Sequence, residues 1–532
     1  MQSRNVLLIY PRFVTASFWN YHSACEAVGR RCPAPPLGLI TMAALLPPEW
    51  TVRLIDCNAA EPLTDDDLAW ADLAMTGGML VQQRETFAII RRCRSRGLRV
   101  AVGGPDATSS PHLYCEADYL VLGENESILA DFVAAVDNGV TSGRFEAQRY
   151  TTDIATVPIP RFDLLNFNYY TQIGVQFSRG CPFVCEFCDI IELYGRVPRA
   201  KSSSQMITEL DALYAAGWRG HVDFVDDNLI GNKKALKAFL PQLTEWLRAR
   251  NYPFEFSTEA SLNLADDPEL LTLLRAANFF AVFIGIESAD QATLNATRKK
   301  QNTRRDIAAS VYRIYAAGIF VAAGFIVGFD TEDGNIAYAT AHLIEAAAIP
   351  ICMIGLLTAL PNTELSRRLK REGRLFVDYD VNSADGGDHC NVVGQGLNFT
   401  TLRPRRAVFA DARQLIAEVY RPERYFGRLR RVARVLDCGS HRAAIPLRRD
   451  LYEITRRSWR CLVADAAMRS EVWRTVVDCA RHNPAALRSV LRITALYIYL
   501  GPFALHAADA LERKIAEADA AGPAAATMAA TA

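Results

Sequence analysis

The chain has 532 residues, half of them hydrophobic and 22% charged, which is typical of a globular protein and argues against long disorder. Lys plus Arg equals Asp plus Glu at 59 each, so no overall positive field attracts nucleic acid, and a tRNA substrate is disfavoured. The 13 cysteines lack the pattern of a small secreted protein, and the first apolar run is too short for a signal peptide, so we expect a cytoplasmic location.

The first 145 residues alternate short apolar runs with amphipathic stretches, which predicts a doubly wound parallel sheet. The predicted strands are VLLIY (6–10), TVRLID (51–56), LAMTGG (73–78), LRVAVGG (98–104) and YLVLGE (119–124). Ligands of such sheets bind at the carboxyl ends of the strands. Glycines at these strand ends should border one crevice: Gly77, Gly78, Gly103, Gly104 and Gly123. Each glycine taken alone is also explained by an ordinary turn.

A linker that contains several prolines is expected over 146–168, and six further apolar runs follow over 169–375. They are IGVQFS (173–178), VDFVDD (222–227), FEFSTE (254–259), AVFIGIE (281–287), VAAGFIVGF (321–329) and ICMIGLLTAL (351–360). Their regular recurrence predicts a partial (β/α)6 barrel, so the fold class is α/β. Active residues should lie where these strands end.

The C-terminal part, 376–515, is expected to be mainly helical, with a disordered tail over 516–532. Residues 421–460 contain 12 Arg against 4 Asp plus Glu. The run ITALYIYLGPFALHAA (493–508) is uncharged but interrupted by Gly501 and Pro502, and it falls short of the roughly 20 apolar residues that span a bilayer. These features suit a helical cap over the barrel, or peripheral contact with the inner face of an anionic membrane.

Three cysteines in RGCPFVCEFC, namely Cys181, Cys185 and Cys188, follow the first predicted barrel strand. In a loop opened by Gly180, three thiolates can converge on one [4Fe-4S] cluster, because such thiolates bind iron–sulfur clusters. Three ligands for four irons leave one iron open to the amino and carboxylate groups of a substrate. A structural zinc site is the alternative, but no fourth Cys or His follows at the usual spacing. Cys390 in GGDHCN is a further candidate to face the substrate.

The CxxxCxxC spacing, with Phe187 before its last cysteine, resembles the radical S-adenosylmethionine (SAM) superfamily. The resemblance implies that SAM binds the open iron and is cleaved reductively to a 5′-deoxyadenosyl radical, which removes hydrogen from an unactivated carbon. An external electron donor such as flavodoxin or ferredoxin is implied as well.

The first later strand ends match the family's SAM contacts by position, not by identity. Asp226, Asp227 and Asn228 stand where the family often has a Gly-Gly-Glu-like stretch that contacts the SAM amino group. Glu259 ends the third barrel strand and is a further SAM candidate. Such residues can instead cap helices or pair with arginines.

The fourth and fifth strands supply the remaining SAM candidates. Glu287 ends the fourth strand, where family members commonly contact the ribose hydroxyls. Gly324 and Gly328 in GFIVGF resemble the motif that packs near the adenine.

The first domain followed by RGCPFVCEFCDIIELYGRVPRAKS resembles the cobalamin-binding subclass of this superfamily. This implies methylcobalamin between the carboxyl edge of the sheet and the barrel mouth, bordered by the five glycines. The Asp-x-His-x-x-Gly sequence that supplies a cobalt ligand in some cobalamin domains is missing, since PRFVTASFW follows the first strand. Cobalamin would then be bound without a histidine on cobalt, or not bound at all.

The strings CDIIELYGRVPRAKS, VDFVDDNLIGNKKA, FFAVFIGIES and KKQNT are similar to those of hopanoid 2-methyltransferases and close relatives. The resemblance implies methyl transfer to an unactivated carbon, C-2 of a hopanoid lipid being the first expectation. Methylation of another natural-product carbon is the alternative. A non-catalytic cobalamin or iron–sulfur sensor is a third hypothesis, but a sensor could dispense with the three-cysteine motif.

Overall fold

The computed structural model describes residues 3–13, 17–18, 20–59, 62–376, 396–439 and 466–521. Two six-stranded sheets, parallel throughout, and a group of C-terminal helices form the molecule. The α/β class, the N-terminal sheet, the partial barrel and the helical C-terminal region were all predicted, and they are confirmed. Cys390 lies outside the described residues.

The first sheet has the strand order β2-β1-β3-β4-β5-β6, so the chain reverses direction across the sheet between β1 and β3. Its strands are β1 (Asn5–Tyr10), β2 (Thr51–Asp56), β3 (Leu73–Gly77), β4 (Val100–Gly103), β5 (Tyr119–Leu122) and β6 (Gly143–Glu146). The helices of this part are α1 (His22–Ala27), α2 (Leu37–Ala43), α3 (Asp65–Trp70), α4 (Gln83–Ser95), α5 (Gly104–Ser109) and α6 (Leu129–Asp137). Two apolar clusters cover opposite faces of the sheet, which makes it doubly wound. The sequence did not predict β6, because this edge strand is half exposed and its residues are mostly polar.

The second sheet keeps chain order from one edge to the other, which is an open half-barrel. Its strands are β7 (Gln172–Val175), β10 (Gly220–Phe224), β11 (Phe254–Glu259), β12 (Phe279–Glu287), β13 (Phe320–Val327) and β14 (Cys352–Leu356). Between β7 and β10 lie the short hairpin β8 (Ser178–Arg179) and β9 (Arg199–Ala200), and helices α7 (Ile190–Leu193) and α8 (Ser203–Ala215). The other barrel helices are α9 (Lys233–Ala249), α10 (Pro268–Ala276), α11 (Gln291–Ala296), α12 (Ile307–Ala316) and α13 (Ile336–Ala346).

The C-terminal helices pack on the last strands of the half-barrel and on α1. They are α14 (Glu364–Arg371), α15 (Arg405–Val419), α16 (Pro422–Val435), α17 (Ala466–His482) and α18 (Leu487–Ala521). The predicted tail begins at 516, whereas α18 continues to Ala521. The chain from Pro484 to Ala520 is apolar enough to cross a membrane by length and composition, but 67% of its apolar window is buried inside the protein.

Helix α18 also runs through Gly501 and Pro502, where the sequence indicated an interruption. A proline inside a helix costs about 3 kcal/mol. Burial of the neighbouring aromatic rings offsets this cost. The ring centre of Phe503 lies 5.7 Å from that of Tyr499, on which it stacks, and 4.6 Å from that of Phe18. Tertiary packing therefore outweighs the local preference.

In the described part of the Arg-rich segment, arginines form ion pairs with carboxylates of the same protein. Ion pairs hold five arginines of 421–435 with side-chain N–O distances of 2.5–3.1 Å: Arg424 with Glu418, Arg428 and Arg431 with Glu345, Arg430 with Glu471, and Arg434 with Asp478. These residues therefore form a helical cap rather than an unpaired basic face.

Arg428 is fully buried and joins α16 to the half-barrel. It donates to the Ile349 carbonyl at 2.7 Å, to Glu345 at 2.5 Å and to the Val419 carbonyl at 2.5 Å. The guanidinium thus satisfies acceptors that have little access to water.

We expect Arg428→Met to lower the free energy of unfolding by about 3 kcal/mol, because it leaves buried acceptors without a donor. Arg431→Met is the matched control, since Arg431 pairs with the same Glu345 at the surface and such pairs contribute about 1 kcal/mol or less. Urea denaturation of both variants measures the difference. Equal losses in the two variants would contradict the role assigned to the buried arginine.

Candidate functional site

The three cysteines lie in the loop that leaves the first barrel strands and leads into α7. Gly180 adopts a φ of 96°, and a Cβ there would meet the carbonyl oxygens of Gly195 and Tyr194 at about 3 Å. The Cys181 N–H donates to the Gly195 carbonyl at 3.2 Å. A glycine is therefore required where the chain turns into the cysteine loop.

Amide side chains face two of the thiols. Asn228 Nδ2 lies 3.8 Å from Cys181 Sγ, and Gln301 Nε2 lies 3.5 Å from Cys185 Sγ. Such N–H···S contacts stabilise thiolates and tune the potential of iron–sulfur clusters. Gln301 was not predicted as a site residue, although it lies in the KKQNT string.

No three His, Cys, Asp or Glu side chains within the described ranges are placed to hold one metal ion. A four-iron cluster does not require this, because each cysteine binds a different iron. Burial raises the pKa of the Cys181 and Cys188 thiols, so binding a metal must displace their protons.

Asp226 is buried behind the cysteine loop. Its carboxylate accepts from the Phe177 N–H at 2.9 Å, from the Ser178 N–H, and from the Ser178 hydroxyl at 2.6 Å. This arrangement makes Asp226 a positioning residue for the turn before the cysteines. The structure thus gives it another role than the predicted SAM contact.

The two residues after Asp226 lie closer to the thiols. Asp227 accepts from the Gly180 N–H, one of its oxygens has no partner, and burial raises its pKa to about 6. Asn228 accepts from the Ser261 N–H at 3.1 Å while its amide nitrogen faces Cys181. The end of β10 thus connects the cysteine loop to the residues after β11.

Glu287 ends β12 in the left-handed region, with a φ of 71°, which is uncommon for a residue with a side chain and marks functional sites. It pairs with Lys299 at 2.6 Å, and both side chains are nearly buried. A Cβ on Gly285 would collide with this pair. The Lys299 ammonium lies 5.8 Å from the centre of the Phe187 ring. Lys299 was not predicted as a site residue, although it is the first residue of the KKQNT string.

The two glycines of β13 differ in their surroundings. Gly324 lies beneath Phe283, with Glu287 at 3.9 Å from the Cβ that it lacks. Gly328 has a φ of 115°, and its missing Cβ points at the side chains of Leu397 and Val408. Gly324 is therefore beside the candidate ribose-binding glutamate, whereas Gly328 is required for a turn packed against the C-terminal region.

Glu259 is the last residue of β11, where it keeps access to solvent and lies near other carboxylates. Burial raises its pKa to about 8, and four nearby carboxylates, those of Asp223, Asp227, Glu287 and Asp226, raise it further in that order. An interior with this many carboxylates favours a cationic ligand. SAM carries a sulfonium and an ammonium group, so its charge fits.

The five predicted glycines line one cavity of about 460 Å³ between the carboxyl edge of the first sheet and the barrel mouth. They are therefore brought together as predicted, although tight strand ends explain some of them independently. A Cβ on Gly77 or Gly103 would lie 2.6 Å from the carbonyl oxygen of a neighbouring strand, and Gly104 and Gly123 have φ near 90°. Among the described residues that line the cavity there is no histidine.

Arg179 connects the two sheets at this cavity. Its guanidinium donates to Glu126 at 2.7 and 3.1 Å and to Glu124 at 3.1 Å, both of which follow β5 of the first sheet. The next residues in the chain are Gly180 and Cys181.

An open parallel half-barrel with three cysteines after its first strand and a carboxylate-rich mouth defines the radical SAM class of enzymes.

Family comparison agrees with this class. Residues 175–344 match the radical SAM superfamily, and 363–513 match a domain of unknown function (DUF4070). An uncharacterised methyltransferase of Synechocystis is 42% identical over 92% of this chain and 90% of its own. The hopanoid C-2 methylase of Rhodopseudomonas palustris is 39% identical over 79% of this chain and 78% of its own.

Solved structures share the fold. OxsB, a cobalamin-dependent SAM radical enzyme with aqua-cobalamin bound, aligns with a TM-score of 0.60 over 98% of this chain and 84% of its own, at 16% identity. TsrM of Kitasatospora setae, with cobalamin and a [4Fe-4S] cluster bound, gives 0.55 over 74% and 79%, at 17% identity. The chain therefore belongs to the radical SAM methyltransferase family that includes the hopanoid C-2 methylase.

The pKa of Glu259 predicts how the ligand-free protein responds to pH. Between an ordinary value of 4.5 and about 8, the folded protein keeps a proton that the unfolded chain releases, so rising pH destabilises it. Glu259→Gln removes this penalty. We expect the variant to melt at nearly the wild-type temperature at pH 5 and roughly 2 °C higher at pH 8, a gain of about 1 kcal/mol.

Differential scanning fluorimetry across this pH range tests the expectation, with Glu269→Gln, a mostly exposed carboxyl, as the control. Added SAM should narrow the difference in melting temperature between the wild type and Glu259→Gln at pH 8, because its positive charge favours the ionised Glu259. A pH dependence that is identical in the wild type and the variant would show that Glu259 is not the titrating group.

Proposed function

We propose that this methyltransferase adds a methyl group to an unactivated carbon of a lipid, C-2 of a hopanoid. The observation that carries the substrate is the 39% identity with the hopanoid C-2 methylase, which covers 79% of this chain and therefore extends well beyond the barrel. The cavity between the sheets supports the reaction, because it opens on both the glycine edge and the barrel mouth.

The three cysteines would hold a [4Fe-4S] cluster, and SAM would lie between it and the carboxylates of the barrel mouth. Glu287 would contact the SAM ribose, Gly324 would pack near the adenine, and Asp227 and Glu259 would face the cationic groups of SAM. Cobalamin would occupy the cavity, with Gly77, Gly78, Gly103, Gly104 and Gly123 along one side.

When bound, these cofactors supply the radical that removes hydrogen and the methyl group that replaces it. The task of the chain is placement and exclusion. Asn228 and Gln301 orient two thiols, and Arg179 ties the cysteine loop to the glycine edge. Burial of these side chains keeps water away from the reacting atoms.

The electron donor and membrane contact belong to the proposal as well. We propose flavodoxin or ferredoxin as the donor, since the cofactors need an external electron. Peripheral membrane contact would suit a lipid substrate, but residues 421–435 give it no support, because their arginines are paired within the protein.

The test is an anaerobic reconstitution with iron, sulfide, cobalamin, SAM and a strong reductant, in the presence of a hopanoid. We expect 5′-deoxyadenosine and a C-2-methylated hopanoid by mass spectrometry. Cys185→Ala should lose both products, whereas Cys115→Ala, which changes an exposed cysteine away from the site, should retain them.

5′-Deoxyadenosine without methylated hopanoid would overturn the substrate but keep the radical chemistry. The next substrates would then be other natural products, starting with tetrapyrroles, since a bacteriochlorophyllide d C-12(1)-methyltransferase of Chlorobaculum tepidum is 25% identical over 65% of this chain. Formation of neither product by protein with an intact cluster would overturn the enzymatic proposal in favour of a sensor.

Gly38 offers a separate test of the cavity. It lies in α2 and lines the cavity, and a Cβ at this position meets no atom within 4 Å. We expect Gly38→Phe to fill the cavity and weaken cobalamin binding by at least about tenfold, or 1.4 kcal/mol. Gly427→Phe is the matched control, because Gly427 is also a helical glycine and a Cβ there would meet Arg430 at 3.8 Å, an ordinary contact.

Equilibrium dialysis with cobalamin measures the affinity, and 5′-deoxyadenosine formation reports separately on the cluster site. Unchanged cobalamin binding by Gly38→Phe, with the variant folded, would place the cofactor elsewhere.

A further inference from the structure

Glu186 stands between two of the cluster cysteines, and its three polar groups are all fixed by other parts of the chain. Its N–H donates to the Thr297 carbonyl at 3.0 Å, and its carbonyl accepts from the Leu365 N–H at 2.9 Å. Its carboxylate accepts from Arg368 Nε at 2.6 Å, with Arg368 Nη2 at 3.4 Å from the second oxygen. Leu365 and Arg368 belong to α14, the first helix of the region that matches the domain of unknown function.

Arg368 is itself held from a second side. Its Nη1 donates to Asp330 at 3.0 Å and to Glu372 at 3.2 Å. Arg374 contacts the same two carboxylates, at 2.5 and 2.8 Å. The hydrogen bond to Glu186 makes the largest contribution to the raised pKa of Arg368. The pair is therefore part of a network, which can contribute more than an isolated surface pair.

Helix α14 also contacts the chain beyond the last cluster cysteine. Arg367 donates to Glu192 of α7 at 2.6 Å. The two contacts come from adjacent residues of one helix, and they fall on either side of Cys188. Helix α14 thus spans the C-terminal half of the cysteine loop.

We infer that α14 holds the cysteine loop in place, with Arg368 as a positioning residue for the cluster through Glu186. This gives the C-terminal region a part in the iron–sulfur site, in addition to covering the half-barrel. The inference rests on the proposed cluster at Cys181, Cys185 and Cys188. Residues that orient metal ligands from behind commonly change metal affinity by about 10- to 100-fold when they are substituted.

The experiment uses full-length reconstituted protein and follows the cluster itself. We expect Arg368→Gln to lose iron to a chelator about tenfold faster than the wild type, and to alter the electron paramagnetic resonance spectrum of the reduced cluster. Arg371→Gln is the matched control: Arg371 lies on the same helix, is 72% exposed, and its one ion pair in the described structure is with Glu364. This control should behave as the wild type.

A double-mutant cycle separates positioning from general stability. Glu186→Gln keeps the shape of the side chain and removes its charge, so it should accelerate iron loss with little change in melting temperature. Arg368→Gln and Glu186→Gln combined should lose iron no faster than the more affected single variant, because both remove the same contact.

Each other outcome has a defined meaning. Wild-type protein that takes up no four-iron cluster would overturn the proposed function. A wild-type cluster whose rate of loss and spectrum are unchanged in both single variants would overturn the inference alone. Fully additive effects, or equal acceleration by Arg371→Gln, would also overturn it, since a general loss of helix stability would then explain the result.

Discussion

Arg179 occupies the point on which the arrangement of the two sheets depends. The residue stands directly before the cysteine loop, yet two glutamates of the other sheet hold its guanidinium. A buried arginine whose partners are removed would leave a charge away from water, which is far more costly than losing an exposed pair. The cysteine loop and the glycine edge of the first sheet are therefore held at one separation by hydrogen bonds of 2.7–3.1 Å.

The carboxylates of the barrel mouth place a second constraint on the molecule. Asp223, Asp227 and Glu287 repel a negative charge on Glu259, so in the ligand-free site Glu259 keeps its proton to higher pH. A cationic ligand relieves that repulsion on binding. Binding of a cationic ligand would therefore favour the ionised form of Glu259.

Local patterns predicted much of this structure, because they depend on residues that are close in the chain. The period of apolar runs identified all six barrel strands, and the spacing of Cys181, Cys185 and Cys188 indicated the cluster. The sequence did not predict Lys299, Gln301 or Arg368 as site residues. Only the folded chain shows that Gln301 faces the Cys185 thiol. The same is true of the ion pairs that Lys299 forms with Glu287 and Arg368 with Glu186. Asp226 was assigned to SAM from its position at a strand end, but the neighbouring backbone N–H groups already bind its carboxylate.

The last long helix connects the beginning of the chain to the half-barrel. Arg492 of α18 pairs with Glu255 of β11. Two helical turns later, the Tyr499 hydroxyl donates to the Ser17 carbonyl. During synthesis the cysteine loop leaves the ribosome more than 300 residues before Tyr499 does. Ser17 can make this contact only after Tyr499 has been synthesised, so the docking of Ser17 on α18 is a late step of folding.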